Sequence, residues 1–459
     1  MGASLPSFMV FGAMCIMLLI GVLLRAKVRF FQNAMVPSSL IGGVLGFILV
    51  SLGWLKFPAM DGSGWITIQS KDFIPFAFHA FNISFISLCL TRSENGGSRS
   101  KVIKGGLWLS FAWSLALTLQ ALVGAGTVFL YNLITSGDVN IYLGYLVTHG
   151  FTQGPGQGLA IGGAWAKGFQ VPDAPTMGLI WATAGFVAAY VLGVPYARQF
   201  VKKGLNANKR SKIDPEFLTG ILNKDTHIEG GRETTHSAAT ETLAYHLGII
   251  GVVYIITYFE INFASRFIKH LLFSYPLFFF HGLVWAVIIR KIMDKIGIGH
   301  LTDPGIQKRI TGLSVDFLLV SSIMAVSVTV LTKYIGVIIL VTLTVTAVTF
   351  FMINFFRRRL SELGPERAVS SFGCCCGSTA SGLLLLRILD ADYSTGVGLE
   401  LAFFNIAILF TTFPILMLMA PQLPGYGAMT VIGIYALYSI ICGGILWFLG
   451  PWKGRKSVT

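Results

Sequence analysis

The sequence predicts an all-α polytopic membrane protein: two inverted repeats of five transmembrane helices plus one re-entrant hairpin each, with an extra C-terminal helix. Three observations predict it: an apolar composition, a series of span-length apolar runs, and a one-sided distribution of basic residues. Of 459 residues, 54% are hydrophobic and 12% charged, about half the charged share of an ordinary soluble domain. With a mean hydropathy of +0.72, the excess apolar surface must face lipid. The net charge of +14 suggests nucleic acid only in a soluble chain. Here it follows from Lys and Arg in the loops that orient a membrane protein.

About 20 apolar residues cross a bilayer core as a helix. Runs of that kind stand near 6–24, 35–55, 73–90, 105–131 and 176–196 in the first half. The second half has them near 243–259, 271–289, 312–331, 335–356 and 400–419, with an extra one near 427–449. The first run has no basic segment before it and no small-residue cleavage site after it, so it reads as a retained span. Two further stretches, 141–167 and 366–390, are hydrophobic but too glycine-rich and too polar at their centres to be plain spans.

Basic residues select between topologies. With the N-terminus outside and both glycine-rich stretches entering and leaving on one side, the inside segments hold 27 of the 34 Lys and Arg. These are Arg25, Lys27 and Arg29, then the clusters within 92–104, 198–232, 290–309, 357–367 and 453–456. Lys56, Lys71, Lys167, Arg266, Lys269 and Lys333 fall outside, and Arg387 falls within a hairpin. A full crossing by either stretch would scatter the clusters over both faces, against the positive-inside rule. The expected organisation is a first repeat at 1–202, a cytoplasmic linker at 203–236, a second repeat at 237–424 and a final span with a cytoplasmic tail at 425–459. An odd number of crossings per repeat makes the repeats inverted. Inverted repeats with interrupted segments at matching positions point to the binding site of a secondary transporter.

The first hairpin, LVTHGFTQGPGQGLAIGGAW, cannot favour one regular helix with six glycines and a proline. Irregular backbone at membrane depth has to line protein or a water-filled cavity. Its tip residues Gln153, Gly154, Gly156, Gln157 and Gly158 are candidate substrate ligands, because glycine lets backbone N–H and C=O groups approach a ligand. Half-helix N-termini attract an anionic group and unwound carbonyls suit Na+. For the GGAW segment, close helix packing is an equally good account. In the second hairpin, Gly377, Ser378, Thr379 and Ser381 occupy the matching place. Arg387 follows four leucines. Intramembrane charge is costly enough to suggest function, here a bidentate grip on a substrate carboxylate. The rival is snorkelling, or pairing with Asp390 or Asp392.

Candidate sodium ligands are Asn82 and Ser84 in the third span, Asp316 and Ser321 (with its neighbour Ser322) in the eighth, and Asn405. Asn405 and Gln120 also suit bridges between helices, and His79 and His281 suit satisfied packing. The six cysteines, among them Cys374, Cys375 and Cys376, have no zinc or redox spacing. No HExxH, GxSxG or phosphate-cradling motif appears, so no enzyme and no cofactor is expected. Two unlike hairpins do not make the ring of filter residues a channel needs.

The residues resemble the bacterial sodium/glutamate symporter family over nearly the whole chain apart from the last span. VPSSLIGGVLG is similar to that family's Pro-x-x-x-x-Gly-Gly segment, and TQGPGQGLA followed by a Trp to its glycine-rich first hairpin. PYARQFVKKG resembles the end of its fifth span, and ERAVSSFG…GSTASGLLLL lies where the second hairpin falls. The resemblance implies a homodimer in the lipid of the cell membrane, in which a substrate-carrying domain moves elevator-fashion. It implies symport of a small anionic substrate, glutamate or a relative, with Na+ as coupling ion. The alternative is a symporter or exchanger of another carboxylate, including a proton-coupled one. The family's hairpin histidine is replaced by Pro155, its threonine by Gln157 and an asparagine by Leu385, all where selectivity would be set.

Overall fold

A computed structural model describes the chain except residues 1–4, 60–63, 92–98, 210–212, 228, 361, 392 and 450–459. The basic residues Arg92, Arg210, Lys212, Lys453, Arg455 and Lys456, and the pairing candidate Asp392, lie outside the described residues. The first half contains helices α1 (Leu5–Lys27), α2 (Ser38–Ser51), α3 (Ile74–Leu90), α4 (Arg99–Thr135), α5 (Val147–Phe151), α6 (Pro155–Phe169) and α7 (Ala174–Lys202). The second half has α8 (Thr242–Phe267), α9 (Phe278–Lys295), α10 (Pro304–Met324), α11 (Ile335–Arg357), α12 (Gly364–Cys375), α13 (Thr379–Leu389) and α14 (Val397–Thr411), followed by α15 (Ala428–Leu449). Short helical turns connect them. A small antiparallel ribbon, β1 (Lys56–Pro58) with β2 (Trp65–Thr67), pairs Phe57 with Ile66.

Among the described residues, eight helices are long and apolar enough to cross a membrane: α1, α3 with its leading turn, α4, α7, α8, α9, α11 and α15. Their outward faces are apolar, as lipid requires. Along α8, for example, Leu247, Val252, Ile255, Phe259, Phe263 and Phe267 are all exposed. Three expected spans are realised differently. Helix α2 has 14 residues and α14 has 15, short of the ~20 needed for a full crossing. Helix α10 starts well before the expected 312, because Asp303 caps it by accepting from Ile306 N (2.9 Å) and Pro304 fills the first position. It therefore carries Lys308, Arg309 and Asp316.

Contacts divide the chain into two compact units that cut across the sequence halves. The first unit comprises Met1–Lys27, Pro37–Asn95 and Gly220–Ser327, and so contains α1–α3 and α8–α10. Its core includes Ile86, Leu90, Ile250, Val253, Ala286 and Ile310. Ser87 reaches across to Gln307, donating at 2.6 Å to Oε1. The second unit comprises Val28–Val36, Gly96–Thr219 and Val328–Thr459, and so contains α4–α7 and α11–α15. The linker begins here: Asn206 and Asn208 donate to Leu389 O and Asp390 Oδ1, and Ala207 N donates to Glu366 Oε1 at 2.6 Å.

Candidate functional site

Both glycine-rich stretches form two helices around a break. In the first, α5 ends at Phe151 and α6 begins at Pro155. The turn needs Gly154, whose φ of +87° is strained for any side chain, and Pro155 then pre-sets the first helical φ. The hairpin lies against α7 backbone to backbone: a Cβ on Gly158 would stand 2.6 Å from Gly178 O. In the second, α12 ends at Cys375 and α13 begins at Thr379 after an extended Ser378.

The two breaks meet inside the second unit. A Cβ on Gly154 would stand 3.5 Å from Gly377 O. Thr152 Oγ1 lies 2.9 Å from Cys375 O, and its hydroxyl also approaches Gln120 Oε1. Gln120, on α4, donates through Nε2 to Cys375 O and to Thr349 Oγ1 on α11, both at 2.9 Å. Gln120 is thus the helix bridge that its polarity suggested. Ser381 Oγ is 3.2 Å from Tyr190 OH on α7, and Thr379 Oγ1 donates to Asn405 Oδ1 on α14 at 2.8 Å. The second unit therefore holds Gln153, Gly154, Gly156, Gln157, Gly158, Gly377, Ser378, Thr379, Ser381 and Asn405 at or beside the breaks.

Buried polar atoms without partners concentrate on the first hairpin. Thr148 Oγ1, both ring nitrogens of His149, both amide atoms of Gln153 and Gln157 Oε1 make no hydrogen bond of normal geometry among the described residues. Buried polar groups are ordinarily satisfied, so such a cluster calls for a partner the chain does not supply. His149 is fully buried, edge-on to Trp165 at 6.2 Å between ring centroids, and close enough to Gln153 to interact with it. His149 is not among the site residues expected from the sequence. Its spacing of four residues before Gln153 places both on one helical face and was the available signal.

The other sodium candidates, Asn82, Ser84, Asp316 and Ser321, belong to the first unit. Three of their polar side-chain atoms turn back to their own helix, as mid-helix polar groups commonly do. Ser84 donates to Phe81 O (2.7 Å), Ser321 to Phe317 O (2.6 Å) and Asn82 to Phe78 O (2.9 Å), leaving Asn82 Oδ1 buried without a partner. Asp316 is exposed and faces Ser39. His79 bonds Tyr254 OH at 2.8 Å, and His281 lies between Glu260 and Leu272 O. Among the described residues no group of three or more His, Cys, Asp or Glu is placed to hold a metal ion.

Arg387 stands at the far end of α13, eight residues after Thr379 and so about 12 Å along the axis from the break. Its guanidinium lies 4.8 Å over the Phe217 ring, and Nε donates to Ala391 O at 3.3 Å. Asp390 accepts instead from Asn208, Ser394 and Thr395. Arg367, counted above among cytoplasmic loop cations, is buried and paired with Glu400.

No curated protein and no solved structure matches the chain. The family model described as sodium/glutamate symporter matches residues 4–370, which include the first break and stop just short of the second. By that match the chain belongs to the sodium/glutamate symporter family, a family of sodium-coupled membrane transporters.

Proposed function

We propose that the chain is a symporter that moves glutamate or a related small organic anion across the membrane together with Na+, by alternating access of elevator type. The observation that carries this reading is the meeting of two helix breaks in one unit. The N-terminal ends of α6 and α13 give a carboxylate free backbone N–H groups and the positive ends of two helices. Gln153, Gln157 and Ser378 add side-chain donors, with Thr379 and Ser381 beside them, and the unpartnered atoms of Gln153 and Gln157 supply the polar lining that a ligand would satisfy.

The order of elements supports two inverted repeats. Helices α1–α4, the broken pair α5/α6 and then α7 match α8–α11, the broken pair α12/α13 and then α14. Corresponding helices fall into the same unit, which supports a scaffold formed by the first unit and a substrate carrier formed by the second. In this reading the hairpins are re-entrant, the N-terminus is outside and the protein is a homodimer.

The test is uptake of radiolabelled glutamate into proteoliposomes under an inward Na+ gradient, an inward proton gradient, or neither. Saturable uptake that requires Na+ is expected. Uptake driven only by protons, or competition by other carboxylates but not by glutamate, would favour the alternative carboxylate carrier. Orientation is tested with Lys167→Cys and Lys209→Cys in a background stripped of native cysteines. Impermeant reagent should label the first from outside and the second only from inside.

A further inference from the structure

Helices α1, α2 and α3 of the first unit share one end. A Cβ on Gly21 would collide with Ser38 O, and one on Gly42 with Met17 O, so α2 lies antiparallel to α1 in a fixed register. Continued from Gly42 to Ser51, that register brings the last residue of α2 beside about residue 8, close to the start of α1. The turn that leads into α3, Ser70–Phe73, touches both helices. Phe76, just after it, stacks on Phe11 at 6.3 Å between ring centroids. The 14 residues of α2 rise about 21 Å against a bilayer core of about 30 Å. The chain therefore leaves α2 near the level at which α1 begins.

From that level the chain passes into the ribbon β1/β2. Lys56 stands opposite Thr67 and Pro58 opposite Trp65. Ala59 N donates to Gly64 O at 2.8 Å and Ile68 N to Leu55 O at 2.9 Å, extending the pairing at both ends. A two-stranded ribbon pairs each strand on one side only, so its outer edges need water or lipid headgroups. The hydrocarbon core is thereby excluded as its place.

The side chains argue against bulk water too. Trp54 is 68% exposed, Trp65 65% and Leu52 54%, and large apolar side chains seldom cluster uncovered in water. Lys56 shares a face of the ribbon with Trp65, and its ammonium lies 5.7 Å from the ring centroid. Tryptophan and lysine suit the headgroup level for different reasons. An indole has an apolar body with one polar edge, and a lysine lays its stem along apolar surface while its ammonium reaches the phosphates. Lys71 and Asp72, on the turn at the same end, mark where hydrocarbon gives way to polar surroundings.

We propose that β1 and β2, with Trp54, form a lipid-interface anchor of the first unit. Trp54 and Trp65 lie at the boundary between headgroups and acyl chains, and Lys56 reaches the lipid phosphates. In the topology proposed above this is the outer leaflet. The inference needs only a membrane protein, so it is independent of the substrate and of the coupling ion. In the elevator reading such an anchor holds the scaffold at a fixed height while the carrier moves.

The test is the depth of nitroxide labels on the full chain in phosphatidylcholine vesicles, read from collisions with oxygen and with a water-soluble nickel chelate. Trp54→Cys and Trp65→Cys carry the label in a background stripped of native cysteines. Lys209→Cys supplies the aqueous reference and Val252→Cys, on the exposed face of α8, the hydrocarbon one. Nickel collisions at both ribbon positions should fall several-fold below those at Lys209→Cys and stay several-fold above those at Val252→Cys. Collisions equal to those at Lys209→Cys put the ribbon in water and overturn the anchor. Shielding from both reagents with dipolar broadening means that a second copy covers the ribbon, and overturns it equally. If the labelled variants do not purify, quenching of tryptophan fluorescence by brominated phosphatidylcholine decides. The double variant Trp54→Phe with Trp65→Phe should lose part of the quenching seen in wild type, and unchanged quenching overturns the proposal.

Discussion

Arg367 and Glu400 form a two-pronged ion pair inside the second unit: Nη2 lies 2.6 Å from Oε1 and Nε lies 2.8 Å from Oε2. Both side chains are almost wholly buried, and Gly105 lies so close to the carboxylate that a Cβ there would collide with it. Taking one partner from a buried pair leaves the other charge uncompensated, at a cost of about 3–5 kcal/mol. Glu400→Gln should therefore lower the thermal unfolding temperature of the detergent-purified protein markedly. Pairing it with Arg367→Met should restore part of the loss, because a neutral pair leaves no stranded charge. A double variant no more stable than the single one would show that the cost lies in packing.

Asp173, just before α7, accepts from Lys333 Nζ at 2.9 Å and from Tyr334 OH at 2.8 Å. Burial alone would raise its pKa, but the two hydrogen bonds and the ammonium charge outweigh burial and hold it below the ordinary value. The bonds to Tyr334 and Asp173 raise that of Lys333. A depressed acid stabilises the fold above its unfolded pKa, about 3.9, and loses that contribution as pH falls through the folded value. A raised lysine contributes below its unfolded pKa, about 10.4, and loses it as pH rises through the folded value. The destabilisation caused by Asp173→Asn should thus be constant from about pH 5 to 10 and fade below about pH 4. Unfolding temperatures of the two proteins across pH measure it, and a difference that persists at low pH counts against the clasp.

The helix breaks were legible because Gly154 and Pro155 are a local signal, set by a positive φ and a missing N–H, and because the small polar run Gly377–Ser378–Thr379 interrupts the apolar helix pattern. The start of α10 was not read, since Lys308 and Arg309 dilute the apolar run that hydropathy follows, although the Asp303–Pro304 cap was in plain view. The pairing of Arg367 with Glu400 joins residues 33 apart through packing alone, so Arg367 looked like one more loop cation. The division into units was equally hidden. A sequence shows that helices recur in the same order, but not that α1–α3 pack with α8–α10 and α4–α7 with α11–α15.

The linker's first residues hold the feet of the second hairpin. Ala207 N donates to Glu366 Oε1 at 2.6 Å, and Asn208 Nδ2 to Asp390 Oδ1 at 2.9 Å. Hydrogen bonds to charged groups contribute about 1.5–3 kcal/mol. Ala207→Pro removes the first donor and should free this segment locally, exposing Lys209 to trypsin at a rate several-fold above wild type, read from the fragments over time. Unchanged cleavage would mean that Asn206 and Asn208 hold the segment without it.

Arg387 separates two accounts of how the anion is held. Its guanidinium rests on Phe217 and donates to Ala391 O, about 12 Å of helix from the break at Thr379. Those surroundings favour a structural role at the end of α13, where losing a stacked cation would cost roughly 0.5–2 kcal/mol of stability. On this account Arg387→Ala leaves the concentration for half-maximal uptake within about threefold of wild type, since less than 1 kcal/mol of binding would be involved, and lowers only the unfolding temperature. If the side chain instead grips the substrate carboxylate during transport, affinity should fall by two orders of magnitude or so, the scale of about 2–3 kcal/mol for a charge-assisted bidentate contact. Measuring both quantities on one preparation decides between the accounts, because only the second predicts a large change in affinity.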